Sequence, residues 1–206
     1  MNWELFAAFT VVAAILFVTP GPVVTLVIAT GASHGVRAAL TAVAGTSLGL
    51  ALLLAAIALG LNWVLEHTGA IFEVLRWVGA AYLVWVGIRA WRNAGKITAA
   101  IPSVRVSFVR GVAVALTNPK TIAFFTAFLP QFVDPKLPAA PQLAAMCVTS
   151  VLLAATCDSG WAVAAGLGRA WLMKPSRAKM LGRLSGAVLI GGGIWLSLAR
   201  RPAALG

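Results

Sequence analysis

The segment Phe17-Val18-Thr19-Pro20-Gly21-Pro22 lies in the middle of a long uncharged stretch near the start of the chain. A comparable segment in the second half, Ala115-Leu116-Thr117-Asn118-Pro119-Lys120-Thr121, lies inside another apolar stretch. Proline removes a backbone hydrogen bond and its ring clashes with the preceding turn, so we predict broken helices at Pro20 and Pro119. Within hydrocarbon, irregular backbone is tolerated only against protein or beside a water-filled cavity. One break in each half therefore indicates the binding site of a transporter.

The composition identifies an integral membrane protein. Hydrophobic residues make up 61% of the chain, charged residues 10%, and the mean hydropathy is +0.95. A soluble domain carries about 25% charged residues. The formal net charge is +11, but most of the sixteen Lys and Arg lie in short connections between apolar blocks and form no continuous basic face. This distribution favours membrane topology over nucleic-acid binding.

Charged residues divide the chain into six apolar blocks, at about 5–36, 38–64, 70–88, 108–132, 141–168 and 184–199. As one straight helix, the first block would reach about 48 Å, which exceeds the roughly 30 Å hydrocarbon core. A broken or steeply tilted element at Pro20 accommodates the excess length. We therefore predict an all-α integral membrane protein with six transmembrane helices, forming one transporter domain over residues 1–206.

The connections between the blocks predict the orientation of the chain. Eleven of the sixteen basic residues lie in the first, third and fifth connections, five of them in the connection 89–110. The positive-inside rule makes these connections cytoplasmic and places both termini in the periplasm. Arg200 and Arg201 at the C-terminus oppose this orientation weakly.

Three spans in each half imply that the halves, about 1–92 and 105–201, insert in opposite orientations. A short internal similarity accompanies the two breaks: Arg76-Trp77-Val78-Gly79-Ala80 opens block three, and Arg183-Leu184-Ser185-Gly186-Ala187 opens block six. Together with the matching breaks, this similarity favours two inverted three-helix repeats.

Asp158 is the principal candidate for ion coupling. It lies midway along an otherwise apolar block, where a charge costs several kcal/mol unless it is protonated, paired or hydrated. We expect it to carry a proton or to face a substrate ammonium group. The alternative is a structural ion pair, for example with Lys120.

The residues around the breaks are the candidate substrate site: Thr19, Pro20, Gly21, Pro22, Thr117, Asn118, Pro119 and Lys120. Unwound backbone leaves N–H and C=O groups free, and the N-terminus of a half-helix suits a carboxylate. Lys120 could neutralise a carboxylate or extend towards water along its aliphatic stem. The alternative for the breaks is a simple kink whose hydroxyl groups cap the freed carbonyls.

No catalytic residue, metal site or cofactor is predicted. Cys147 and Cys157 are ten residues apart in one block, about 15 Å apart on a helix, which is too far for a disulfide within one chain. That distance counts against a thiol–disulfide electron carrier. The chain has two His and no cluster of Cys and His ligands.

Several motifs resemble the lysine-exporter/homoserine-threonine-resistance (LysE/RhtB) family. They are Thr19-Pro20-Gly21-Pro22, His34-Gly35, Arg37-Ala38, Leu75–Leu83, Gly87-Ile88-Arg89-Ala90, Asn118-Pro119-Lys120 and Phe128-Leu129-Pro130-Gln131-Phe132. The resemblance covers nearly the whole chain. It implies a multi-pass exporter of amino acids or their derivatives in the bacterial inner membrane, driven by ion gradients, usually assumed to be of protons. Val23-Val24 depart from the more polar residues of many members and count against a very polar substrate.

We therefore predict a secondary exporter whose partners are the lipid bilayer, a small amino-acid-like substrate and protons. A homodimer is compatible with the small-residue helix faces. Two alternatives remain open: a membrane metal-ion exporter of the same superfamily, and a membrane assembly subunit without transport activity.

Overall fold

A computed structural model describes residues 1–67, 69–94, 104–168 and 175–198. These residues form seven α-helices and one 3₁₀ turn. The elements are α1 (Trp3–Val18), α2 (Pro22–His67), α3 (Gly69–Arg92), α4 (Val104–Leu116), α5 (Pro119–Phe128), the 3₁₀ turn (Leu129–Phe132), α6 (Ala139–Leu167) and α7 (Pro175–Leu198). Apart from short links within blocks one and four, the six predicted apolar blocks are helical where the structure describes them, which confirms the all-α prediction.

Both predicted helix breaks are present. Helix α1 ends at Val18 and α2 begins at Pro22, so the first proline lies in the short non-helical link between them. The second break separates Leu116 from Pro119, and the helices on its two sides are bent by 41°. In each case a proline occupies the first position of the new helix, where its missing N–H group leaves no intrahelical bond unmade.

Helix α2 changes direction at Gly35, whose backbone has φ 83° and ψ 176°. Only glycine adopts this combination readily, because a Cβ atom would clash with the backbone. The sequence placed the boundary between blocks one and two at the charged Arg37. The backbone instead turns two residues earlier, at the residue that tolerates the conformation.

The chain is a multi-pass membrane protein. By length and composition, two helical segments of the described residues could each cross a membrane: Pro22–Leu61, with a mean hydropathy of 2.2, and Ala139–Leu167, with 1.6. The bent pair Ser107–Leu116 and Pro119–Phe132 gives a third if it crosses as one broken span. Helix α1 is apolar but has only 16 residues, about 24 Å, which is short for a span of its own.

Glycine contacts bring the helices close together in pairs. Helix α2 packs against α4 and α6, and α3 packs against α7. A Cβ atom at Gly45 of α2 would lie 2.9 Å from the backbone carbon of Phe108 in α4. In the other pair, a Cβ on Gly87 would lie 2.8 Å from the carbonyl oxygen of Gly186. Small residues allow this close approach in membranes, where packing drives helix association.

The N-terminus of α1 is tied to the segment that precedes α6. Asn2 caps α1 by accepting hydrogen bonds from the backbone N–H groups of Glu4 and Leu5, and its side-chain amide donates to Asp134 at 3.2 Å. The backbone N–H of Lys136 also donates to Asp134, at 2.9 Å. These two donors, the Lys136 N–H first, hold the pKa of the Asp134 carboxyl below its usual range.

Part of the predicted topology lies outside the described residues. This applies to Lys96 in the predicted cytoplasmic connection 89–110, to Arg169 and Lys174 in the fifth connection, and to Arg200 and Arg201. The end of the predicted second repeat, residues 199–201, falls there too.

Gly35→Ala should destabilise the protein by about 1–3 kcal/mol, because alanine must adopt a backbone conformation reserved for glycine. Gly60→Ala is the matched control, since Gly60 is helical and a Cβ atom there meets nothing within 4 Å. Thermal unfolding in detergent should show a lower midpoint for Gly35→Ala only. Equal midpoints for the two variants would contradict the assigned bend.

Gly45→Ala should force α2 and α4 apart, because its Cβ would meet the Phe108 backbone rather than a movable side chain. Overpacking of this kind costs about 1–3 kcal/mol. Gly160→Ala on α6, where nothing lies within 4 Å, is the control. The thermal midpoint should fall for Gly45→Ala and stay near wild type for the control; an unchanged Gly45→Ala midpoint would contradict the close α2–α4 contact.

Candidate functional site

A narrow cavity lies between the two helix breaks. Its lining comes from α1, α2, α4, α5, α6 and the two links: Leu16, Phe17, Thr19, Gly21, Val23, Val24, Thr46, Leu50, Ala115, Asn118, Lys120, Thr121, Ala154 and Asp158. The cavity volume is about 30 Å³, about a tenth of the smallest typical small-ligand sites. The cavity is therefore too small for an amino acid in this structure.

The first break exposes a backbone carbonyl that Lys120 occupies. In a continuous helix the Leu16 carbonyl would accept from the N–H four residues later, but that residue is Pro20, which has none. The Lys120 ammonium donates instead to the carbonyl oxygens of Leu16 and Thr19, both at 2.6 Å. Lys120 is only 6% exposed, so its side chain is held inside the protein and does not extend to water.

Gly21 makes room for the aliphatic stem of Lys120. A Cβ atom at this position would lie 3.2 Å from Lys120 Cδ and 3.6 Å from its Nζ. Contacts of 3.2 Å between carbons are closer than ordinary packing allows. The glycine between the two prolines thus lets the lysine of the second break reach the first.

Asp158 faces the same cavity from α6 and is 5% exposed. The Thr46 hydroxyl lies 3.5 Å from its Oδ2 atom and 3.0 Å from the carbonyl oxygen of Val43. A hydroxyl has one proton, so Thr46 can donate to one of these oxygens at a time. Among the described residues, no cation lies within the 4.0 Å of Asp158 that defines an ion pair. Asp158 and Lys120 therefore face one cavity without a direct salt bridge.

Asn118 begins α5 and positions Lys120. Its side-chain oxygen accepts from the Lys120 backbone N–H at 3.2 Å, and its amide donates to the Thr121 hydroxyl at 2.7 Å. The Asn118 backbone N–H bonds the Ala115 carbonyl, which Pro119 leaves without its helical donor. The second break thus satisfies its own freed carbonyl, whereas the first relies on Lys120.

The structure brings together five of the nine predicted site residues in the cavity lining: Thr19, Gly21, Asn118, Lys120 and Asp158. Pro20, Pro22 and Pro119 shape the breaks without lining the cavity, and Pro22 and Thr117 are exposed. The hydroxyls of Thr19 and Thr117 both donate back to carbonyls of the preceding turn, those of Ile15 and Ala113. These two carbonyls also accept the backbone N–H groups of the same threonines, so the hydroxyls do not cap the carbonyls that the breaks free.

Sequence reasoning missed Thr46, Thr121 and the Leu16 carbonyl. The carbonyl could have been predicted, because the carbonyl four residues before a helical proline loses its backbone N–H donor. Thr46 and Thr121 had a weaker signal, as hydroxyls within apolar blocks. Thr46 contacts Asp158 and Thr121 contacts Asn118 because of how the helices pack and turn, which the sequence does not show.

Cys147 and Cys157 are free thiols on α6, half-buried and outside the cavity lining. Within the described parts of the chain, no group of three or more His, Cys, Asp or Glu side chains is placed to hold a metal ion.

Comparisons with known proteins place the chain in a family. The model of the LysE type translocator family matches residues 14–200. A homoserine/homoserine lactone efflux protein of Salmonella typhimurium is 33% identical over 204 residues, which cover 97% of this chain and 99% of that protein. An uncharacterised membrane protein of Vibrio cholerae is 33% identical over 97% of this chain and its own full length.

A leucine efflux protein of Klebsiella pneumoniae is 32% identical over 135 residues, 63% of either chain. No solved structure matches the chain significantly. The family match spans both helix breaks and Asp158, and it confirms the resemblance drawn from the sequence motifs. It identifies a translocator and not an enzyme. The chain belongs to the LysE type translocator family.

Proposed function

We propose that this translocator is a secondary exporter of amino acids with short, uncharged side chains, which leave the cytoplasm of the bacterial cell in exchange for protons. The observation that carries this proposal is that one basic and one acidic side chain, Lys120 and Asp158, face one narrow cavity between the two helix breaks. A zwitterion is the small molecule that complements one fixed cation and one fixed anion.

The ends of the substrate would be recognised by different halves of the site. An ammonium group has three N–H donors, and the Leu16 and Thr19 carbonyls use two of those on Lys120. The third donor is left for a substrate carboxylate, next to the N-terminus of α5 with its positive dipole end. Asp158 then receives the substrate ammonium group.

The side chain of the substrate would contact an apolar wall. Val23, Val24 and Leu50 line the cavity beside the charged groups, and no further charged side chain of the described residues does so. A charged substrate side chain would lack a partner there, at a cost of several kcal/mol. Homoserine and leucine, which the names of two similar exporters specify, both have uncharged side chains.

Six spans in two inverted repeats fit the helix contacts best. Helix α1 with the first part of α2 would form one broken span, and α4 with α5 its symmetry mate. In this arrangement α6 is the symmetry mate of α2, so the contact between α2 and α4 matches the contact between α6 and the first span. Helices α3 and α7 are the third pair of symmetry mates and contact each other. Both termini would be periplasmic, as the basic connections indicate.

Transport would proceed by alternating access around the fixed cavity. Because the cavity is too small for an amino acid, the halves must separate on one side and then on the other to bind and release substrate. A proton and the substrate ammonium would compete for the Asp158 carboxylate. Protonation from the periplasm would expel the substrate, and return to the cytoplasmic side would release the proton.

Purified protein in liposomes loaded with a radiolabelled panel of amino acids tests the function directly. With an imposed proton gradient, homoserine or leucine should be exchanged at least tenfold faster than lysine or glutamate, and collapse of the gradient should stop the flux. Protein-free liposomes are the control. Absence of gradient-dependent flux for every amino acid in the panel would refute the proposal.

Asp158→Asn should abolish proton-coupled flux, because an amide cannot exchange a proton. Its size is preserved, so the thermal midpoint should stay within a few degrees of wild type. Thr156→Val is the matched control on α6, since the exposed Thr156 hydroxyl bonds only the Leu152 carbonyl. Wild-type coupled flux in Asp158→Asn would remove this residue from the mechanism.

A further inference from the structure

The contacts of the Lys120 ammonium are those of a bound monovalent cation. Its two hydrogen-bond acceptors are neutral backbone carbonyls, at 2.6 Å each, and it makes no ion pair among the described residues. Carbonyls of an unwound helix facing a cavity are also the groups that hold coupling cations in transporters with broken spans.

The local sequence provides such a cation position. Pro20 leaves the Leu16 carbonyl without its helical donor, and Thr19 lies outside α1 in extended conformation, so its own carbonyl points away from the helix ladder. Two oxygens with free lone pairs converge on one point. An unpaired buried carbonyl costs about 1–3 kcal/mol, so this point must hold a donor or a cation.

The lysine comes from the opposite half of the chain and reaches this point through a gap left by Gly21. The charged and titratable groups around it are few. Among the lining residues, α1, α2 and α4 contribute none, α5 contributes Lys120 itself, and α6 contributes Asp158. Two backbone carbonyls hold the cation, and the Asp158 carboxylate faces the same cavity. Together these groups suit a small monovalent ion.

We propose that the Leu16 and Thr19 carbonyls form a monovalent-cation site that the Lys120 ammonium fills as a tethered ion, so that transport needs no alkali cation. This inference rests on the proposed export function only for its consequence, the exclusion of sodium as coupling ion. The site itself is a property of the fold and can be tested without transport.

Lys120→Ala tests the site, because it removes the tethered ion and leaves both carbonyls in place. The thermal midpoint of the purified variant in detergent is measured in NaCl, KCl, methylammonium chloride and choline chloride at equal ionic strength. We expect a saturable rise of several degrees with sodium, potassium or methylammonium and none with choline, which is too large. Wild type should show no difference among the four salts.

Lys120→Met is the matched control. Methionine extends a neutral side chain into the same space, so its midpoint should not depend on the cation. A flat response of Lys120→Ala in all four salts would overturn the proposal, and so would equal responses of the two variants.

If the variants fail to fold, a second measurement tests whether transport needs an alkali cation. Flux of wild-type protein in liposomes should be the same when sodium is replaced by choline on both sides at a fixed proton gradient. A requirement for sodium would show that a free cation is needed and would overturn the proposal. Loss of all amino-acid flux would refute the export function but leave the thermal-shift result valid.

Discussion

The constraint on which the structure depends is that backbone polar groups inside a membrane must find partners within the protein. Pro20 breaks this condition at the Leu16 carbonyl, and Lys120 restores it from the other half of the chain. This contact buries a charge and joins the two helix breaks. It also fixes the wall of the cavity that faces Asp158. The candidate site is thus formed by the contacts that satisfy the carbonyl left without a donor by Pro20.

The sequence predicted the parts of this arrangement that depend on local chemistry. Apolar length predicted helices throughout, and Pro20 and Pro119 predicted the breaks, because the loss of a proline N–H does not depend on tertiary context. The bend at Gly35 lies two residues before Arg37, the predicted block boundary, because charge marks the boundary in the sequence whereas the backbone conformation decides where the helix turns. Local sequence patterns do not show which side of a helix faces the cavity. Thr117 therefore entered the predicted site although it is exposed, and Thr46 was missed although it lies beside Asp158.

The separation of Lys120 from Asp158 has a physical advantage for a transporter. A direct buried salt bridge would satisfy both charges within the protein, and a substrate would have to compete with it. Here the lysine is satisfied mostly by carbonyls, and Asp158 has a single weak contact with a hydroxyl. The carboxylate is therefore the least satisfied group of the cavity. In the export mechanism proposed above, a substrate ammonium or a proton would gain more by binding there than anywhere else in the site.

The two breaks differ in a way that bears on alternating access. The second break repairs itself, because the Asn118 N–H bonds the Ala115 carbonyl within the same segment. The first break depends on a residue from the opposite half. Any motion that separates the halves at the cavity must therefore either carry the Lys120 ammonium along with the α1–α2 link or leave two carbonyls unpaired, at about 1–3 kcal/mol each. The long, flexible lysine stem in the space beside Gly21 allows the first course. A short or rigid cationic side chain would not follow the link, so a flexible ammonium suits the motion proposed above.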